Sequence, residues 1–469
     1  MAPGPRFALP WTGLRRFRRD PLTFLESVAA HGPVAEFTLG PQRVFLLSDP
    51  AAIEDVLVTS AAHFAKGRAL ERAKRTLGEG LLTSEGAFHL RQRRLMQPAF
   101  HRARIAGYTD AMARTAVATR ERWTAGQPLD LSGEMNRLTL TIVADTLFGS
   151  AVGSDSDTAR VQQAITDVME MFDLVMLPFA EWLVHLPLPR MRRYRAAQRA
   201  LDALIYGIIG ARRASGADRG DLLSMLLHAQ DSEGTGGMTD RQVRDEVITL
   251  FLAGHETTAN ALSWLWVLLG RHPEVEALLH AELDAVLTDG RVPVAADVAR
   301  LPYTRAVVAE SMRLYPPAWT MGRRVLKDYR TGGHDIPAGS LVLMSQWIVH
   351  RDPRWWPEPT RFDPRRWLGD GTAVAGTGAA AGAGTRPRFA YFPFGGGNRV
   401  CIGESFAWSE AIVLVAAIAQ RWRLVLDPAH PVEPQPLITL RTRYGVRATP
   451  EARAAAAPPA TLGAQPATT

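Results

Sequence analysis

Apolar positions along the chain recur mostly at the three-to-four-residue spacing of amphipathic helices, with a few short alternating runs between them. The longest helical stretch starts at Thr239, where Gln242 three residues on completes a capping box, and continues without a proline to His272. At 1.5 Å per residue it spans roughly 50 Å, enough to cross a whole domain. After Gly403, the positions Phe406, Ala407, Ala411, Ile412, Leu414 and Val415 mark one apolar face of another helix, and residues 104–230 read as a series of helices without repeat. Residues 34–39 and 43–47 alternate around Gly40-Pro41-Gln42 and predict a hairpin, after which Pro50 opens a helix. Further strands are expected at 323–326 and 341–347.

Several stretches carry little pattern. Gly67, Gly78 and Gly80 interrupt residues 66–85, which predicts a flexible segment. Residues 371–385 are almost pure Ala, Gly and Thr, and read as a flexible insert. The expected organisation is a poorly ordered segment 1–19, a folded part over 20–452 for which length alone suggests two or three domains, and a disordered tail 453–469 rich in Ala, Pro and Thr.

Composition narrows the function classes. Among 469 residues, 46% are hydrophobic and 22% charged, as in ordinary globular proteins. The net charge of +7 comes without long Lys/Arg runs, which argues against a nucleic-acid partner. Apolar runs such as 261–270 and 411–419 are about half the length of a membrane span, and the proline- and arginine-rich start is no signal peptide or anchor. The single cysteine excludes a disulfide framework and fits a reducing, cytoplasmic setting.

That cysteine, Cys401, stands in Phe394-Gly395-Gly396-Gly397-Asn398-Arg399-Val400-Cys401-Ile402-Gly403. It is either a small buried hydrophobe, a reactive thiol or a metal ligand. Consecutive glycines allow close approach of a flat partner. Loop amides and the following helix N-terminus favour thiolate, and Arg399 offers charge to an anionic group. In the middle of the long helix lies Ala253-Gly254-His255-Glu256-Thr257-Thr258. Gly254 costs about 1 kcal/mol against Ala, offset either by a flat ligand or by tight helix packing. Thr257 can turn its hydroxyl onto the carbonyl of Ala253. His255-Glu256 lacks the second histidine of a zinc H-E-x-x-H site.

The loop F-x-x-G-x-R-x-C-x-G and the segment A-G-x-E-T-T resemble the haem-binding loop and the oxygen-binding helix of the cytochrome P-450 superfamily, in its soluble bacterial, actinobacterial-like branch. Four more matches follow in the family's order. His89 and Arg93, four apart on one helix face, resemble the pair that grips the haem propionates; alone they would equally suit a solvated basic face. Glu310 and Arg313 resemble the family's buried Glu–Arg pair. Arg366, in Pro364-Arg365-Arg366-Trp367, maps onto its third member, although Arg365 and Trp367 replace the usual Glu and Phe. Arg323 resembles the strand arginine that meets a propionate, with Arg324 as its rival by one residue.

The resemblance implies one mainly α-helical domain with a small β-rich lobe and haem b between the long helix and the cysteine loop. Cys401 would be the axial thiolate ligand. His89, Arg93, Arg323 and Arg399 would face the propionates, and Ala253, Gly254, Phe394, Gly395 and Gly403 would surround the ring. Glu256 and Thr257 would deliver protons to bound O2. Phe172 and Phe179, in a Met-rich stretch, together with Phe251, Ala253, Trp319 and Met321, would line an apolar pocket for a lipophilic terpenoid, fatty acid or polyketide-like substrate of secondary metabolism. Electrons would come from ferredoxin and its reductase, drawn to Arg91, Arg94, Arg386 and Arg388 near the cysteine. A monomer is expected. The rivals are a peroxide-driven peroxygenase, disfavoured by the acid–Thr pair, and a non-enzymatic haem sensor.

Overall fold

Helix Asp240–Arg271 is the element on which the others are assembled. Both capping-box bonds form: Thr239 N–H donates to Gln242 Oε1 (2.9 Å), and Gln242 N–H to the Thr239 hydroxyl (3.3 Å). Every residue from 259 to 269 is buried, as befits a helix that neighbours surround on all sides. Helices Leu131–Phe148, Pro302–Leu314 and Glu404–Ala419 pack against it and enclose the main core. The computed structural model describes residues 2–5, 10–148, 188–229, 236–368 and 386–453. Phe172, Phe179, the 371–385 insert and the tail from 454 lie outside the described residues.

The β-rich lobe is a five-stranded sheet in the order Val34–Leu39, Gln42–Leu47, Leu341–Met344, Met321–Val325, Phe64–Lys66. The first two strands form the predicted hairpin, with Gly40 at φ +63° in the turn. Gln42–Leu47 runs parallel to Leu341–Met344, and the other pairings are antiparallel. Register places Lys66 opposite Arg323 and Ala65 opposite Arg324.

Two expectations are corrected here. Within segment 1–19, Pro10–Arg19 is a helix, not a poorly ordered arm. Its Phe17 ring meets Phe24 edge-on at 5.8 Å, and Pro3 O accepts a hydrogen bond from Glu36 N–H (2.8 Å). Residues 78–84 are likewise not loose. Glu79 N–H donates to Asp245 Oδ2 and Leu81 N–H to Glu246 Oε2, each at 2.8 Å. A Cβ on Gly78 would collide with the Asp245 carboxylate, and one on Gly80 with the Thr249 hydroxyl. These glycines bring the backbone close to the long helix.

The Glu310–Arg313 pair is fully buried. Arg313 holds Glu310 bidentately, with Nε to Oε2 and Nη2 to Oε1 at 2.8 Å. Its remaining donors reach the carbonyls of His350 (2.8 Å), Pro359 (2.6 Å) and Arg361 (3.0 Å). Arg366 Nε adds a contact to Glu310 Oε1 at 3.2 Å, while Arg365 turns out to Asp363 (3.0 Å). The departure Trp367 has a structural use, since its indole N–H donates to Glu310 Oε2 at 2.9 Å.

Candidate haem-thiolate site

Residues 394–403 form a tight loop ahead of helix Glu404–Ala419. Cys401 N–H donates to Phe394 O (3.0 Å), Val400 N–H to Gly397 O (3.1 Å) and Gly395 N–H to Phe392 O (3.0 Å). Gly395 and Gly397 take φ of +73° and +65°, where a side chain is strained. A Cβ would meet Met321 Cε at 3.1 Å from Gly395, the Phe389 ring at 2.5 Å from Gly396, and the carbonyl of Leu57 from Gly397. Crowding thus calls for glycine at 396 and 397, and the left-handed backbone calls for it at 395. Gly403 is under no such pressure; its backbone hydrogen bond favours the Cys401 thiolate.

Cys401 keeps accessible surface, yet burial pushes its thiol up to about 11, against the opposing pull of the Gly403 hydrogen bond and of Arg93. The two observations agree if the sulfur opens onto an enclosed interior space. The Gly403 amide and Arg93 favour the thiolate against that burial, and a thiol that coordinates a metal cation is deprotonated outright. On the long helix the same signature recurs. Ala253 is exposed and Thr257 half-buried within an otherwise buried stretch. The Thr257 hydroxyl donates to Ala253 O at 2.6 Å, as its position predicts. A Cβ on Gly254 would meet Val143 Cγ2 at 3.1 Å, so the helix bearing Val143 packs closely there.

Basic side chains converge beside the loop. Arg93 Nη1 donates to Val400 O at 2.7 Å, tying helix Gly86–Met96 to the cysteine segment. His89, one turn earlier, is buried, and burial, then Lys66, Arg399 and Arg93, pull its imidazole down to about 4. Strand alternation separates the rival arginines. Arg324 turns outward to Glu71 (2.7 Å). Arg323 turns inward, where burial and then Arg399 lower it to about 10; it donates to the Gly322 carbonyl (3.0 Å). Arg399 pairs with Glu85 through Nη2, while its buried Nη1 has no hydrogen-bond partner among the described residues.

Two members of this cluster carried no sequence signal. Lys66 is buried, donates to the carbonyls of Leu81 and Ser84 (both 2.8 Å), and is lowered to about 7 by burial and then by Arg399. Glu85 accepts the Lys66 N–H at 2.6 Å as well as Arg399, and these bonds outweigh its burial and hold its carboxyl below the usual range. Lys66, Arg323 and Arg399 share Glu85 as their carboxylate, while Arg93 points to the cysteine segment. This excess of cations with an orphaned guanidinium N–H suits a ligand bearing two carboxylates, and beside a thiol it suits haem.

The remaining predicted residues divide. Phe394 sits 6.0 Å from Trp408 and supplies the carbonyl that closes the loop. Met321 packs over Gly395. Phe251 is buried in the main core. Trp319 is buried in a separate cluster with Trp347 and Leu440, and donates to Leu437 O at 2.8 Å, so it braces a wall. Of the arginines expected near the cysteine, Arg94 and Arg388 are exposed. Arg386 is not a docking charge: it lies 4.1 Å over the Trp356 ring with Nη1 buried.

Fold, thiol loop and basic cluster define a haem-thiolate protein. The family described as Cytochrome P450 matches residues 3–445. Cyclooctatin synthase of Streptomyces melanosporofaciens is 44% identical, with 93% of this chain and 92% of that protein covered. Pentalenene oxygenase of Streptomyces avermitilis is 36% identical over 94% of each. A retinoic acid-bound cyanobacterial CYP120A1 structure superposes with a TM-score of 0.83 at 24% identity, covering 97% of this chain and 100% of that one. The chain belongs to the cytochrome P450 family and is a haem-thiolate monooxygenase. Among the described residues, no helix is long and apolar enough to cross a membrane.

Proposed function

We propose that this monooxygenase hydroxylates or epoxidises a terpenoid in secondary metabolism, with electrons from a ferredoxin and its reductase. The observation that carries the substrate class is similarity at 36–44% identity, over nearly the whole chain, to proteins named for cyclooctatin and pentalenene. A relative at 40% identity is named cyclooctat-9-en-7-ol 5-monooxygenase. The apolar character of Phe251, Ala253 and Met321 supports a lipophilic substrate.

Haem held by the Cys401 thiolate supplies the activation of dioxygen and transfer of one oxygen atom to carbon. The chain's part is ligation, charge balance, proton supply and substrate placement. Arg93, Arg323 and Arg399, with Lys66 and His89, would hold the two propionates. Thr257, bonded back to Ala253, presents its oxygen on the accessible face of the long helix, where it can hand on a proton. Arg94 and Arg388 offer exposed positive charge to an acidic ferredoxin.

The test is a spectral-shift binding screen of the purified holoenzyme with cyclic terpenes, fatty acids and macrolides, followed by turnover with NADPH, ferredoxin and reductase. Terpene binding and oxygenated product are expected. Tight binding of a fatty acid or macrolide alone would overturn the substrate class, and turnover with peroxide but not with reductase would overturn the electron source.

A further inference from the structure

The carboxylate of Glu256 is held by the C-terminal hairpin. Its Oε1 accepts Arg441 Nε and Nη2, each at 2.8 Å, and the hydroxyl of Thr439. Asn260, one turn along the helix, donates to the Thr439 oxygen at 3.2 Å. Both Thr439 and Arg441 come from the C-terminal hairpin Pro434–Pro436/Leu440–Thr442. That hairpin is fastened in turn: Trp264 N–H donates to Leu440 O (3.0 Å), Leu440 N–H to Pro317 O (2.9 Å), and Trp319 N–H to Leu437 O (2.8 Å).

Three donors thus converge on one oxygen, and Oε2 has no hydrogen-bond partner among the described residues. The Glu256 side chain is 6% exposed and the Arg441 side chain 32%, so the guanidinium is the edge where this buried carboxylate meets water. The charged groups around it are Arg441 from the hairpin and His255 from its own helix, whose imidazole is lowered first by burial, with Glu256 and Arg441 pulling in opposite directions.

We infer that Arg441 and Thr439 are positioning residues for proton delivery. They pin Oε1 so that Oε2 exchanges protons, taken from water admitted along Arg441 and passed toward Thr257. Reducing dioxygen to one water and one inserted oxygen atom consumes two protons, and this route carries them without a net change at Glu256. The inference rests on the monooxygenase reading, under which proton supply limits coupling.

Three variants test it: Arg441→Ala, Arg441→Lys and Thr439→Val. In holoenzyme with normal haem content and a normal carbon-monoxide band, Arg441→Ala should lower product per electron about tenfold, with peroxide making up the difference. Arg441→Lys should recover much of the loss. Thr439→Val, nearly isosteric, should give a smaller loss in the same direction, and it carries the test should Arg441→Ala fail to fold. A second readout is the kinetic solvent isotope effect on product formation, which should rise in Arg441→Ala and in Thr439→Val. Unchanged coupling and an unchanged isotope effect in Arg441→Ala or Thr439→Val would overturn the inference. Absence of a carbon-monoxide band in the wild type would instead sink the monooxygenase reading and the inference with it, an outcome distinct from normal haem with unchanged coupling.

Discussion

The indole of Trp367 and the carboxylate of Glu310 are joined by a 2.9 Å hydrogen bond that closes the shell around a fully buried ion pair. Glu310 also receives Arg313 twice, Arg366, and the Asp363 N–H at 3.1 Å. Removing a partner leaves part of a buried charge uncompensated. Arg313→Ala should therefore cost about 3–5 kcal/mol and abolish folded, haem-containing protein. Trp367→Phe keeps the ring and loses one bond to a charged acceptor, for about 1–2 kcal/mol. Denaturant midpoints and haem occupancy measure both; normal occupancy in Arg313→Ala would count against the pair as a structural centre.

Gly397 and Gly86 share a left-handed backbone, at φ +65° and +61°, but only Gly397 is crowded, by the Leu57 carbonyl. Gly86→Ala should cost about 1 kcal/mol, the conformational penalty alone. Gly397→Ala should cost about 2 kcal/mol more, because the loop must shift from the Asp55–Thr59 turn. Thermal midpoints and the Soret position compare them. Equal losses would show that crowding at the loop has no energetic weight.

His89 titrates at about 4 in the folded protein against 6.5 in the unfolded chain. The unfolded chain therefore binds the extra proton first. The stability that neutral His89 contributes is complete above pH 6.5 and is lost as pH falls toward 4. His280 and His350 are lowered in the same direction, so the informative quantity is the difference between wild type and His89→Gln. In haem-free protein, wild type should lose about 2 kcal/mol more than the variant across this window. Parallel pH dependences would show that His89 does not titrate there.

Thr257 bends its hydroxyl onto Ala253 O, on the face of the helix that stays accessible. Thr257→Ala should leave haem content and the carbon-monoxide band intact and lower product per electron about tenfold, with the electrons appearing in peroxide. Unchanged product per electron would refute the proton role.

What the sequence disclosed was local or carried by a motif. The capping box of Thr239 and Gln242, the bond from Thr257 to Ala253, and the helical pairing of Glu310 with Arg313 all join residues within four positions. The opposite faces of Arg323 and Arg324 follow from strand alternation. What it hid depends on distance along the chain. Glu256 meets Arg441 across 185 positions, and Lys66 enters the basic cluster only through its register with Arg323. Gly78 and Gly80 looked like breaks because their neighbours, Asp245 and Thr249, lie far away in sequence. The Cys401 loop announced itself as a motif, and the Gly403 amide acts on the sulfur as a local reading predicts; the burial that opposes it comes from elements far along the chain.

The anchoring of residues 79–81 on Asp245 and Glu246 has a consequence for protein engineering. The span from Lys66 to Glu85 is an obvious module to exchange with a relative when a new substrate is wanted. Its amides, however, end on carboxylates borne by the long helix. A graft that leaves those acids unmatched would strand buried donors and shift Lys66 and Glu85 together. Successful chimaeras will be those in which positions 245 and 246 travel with the swapped segment.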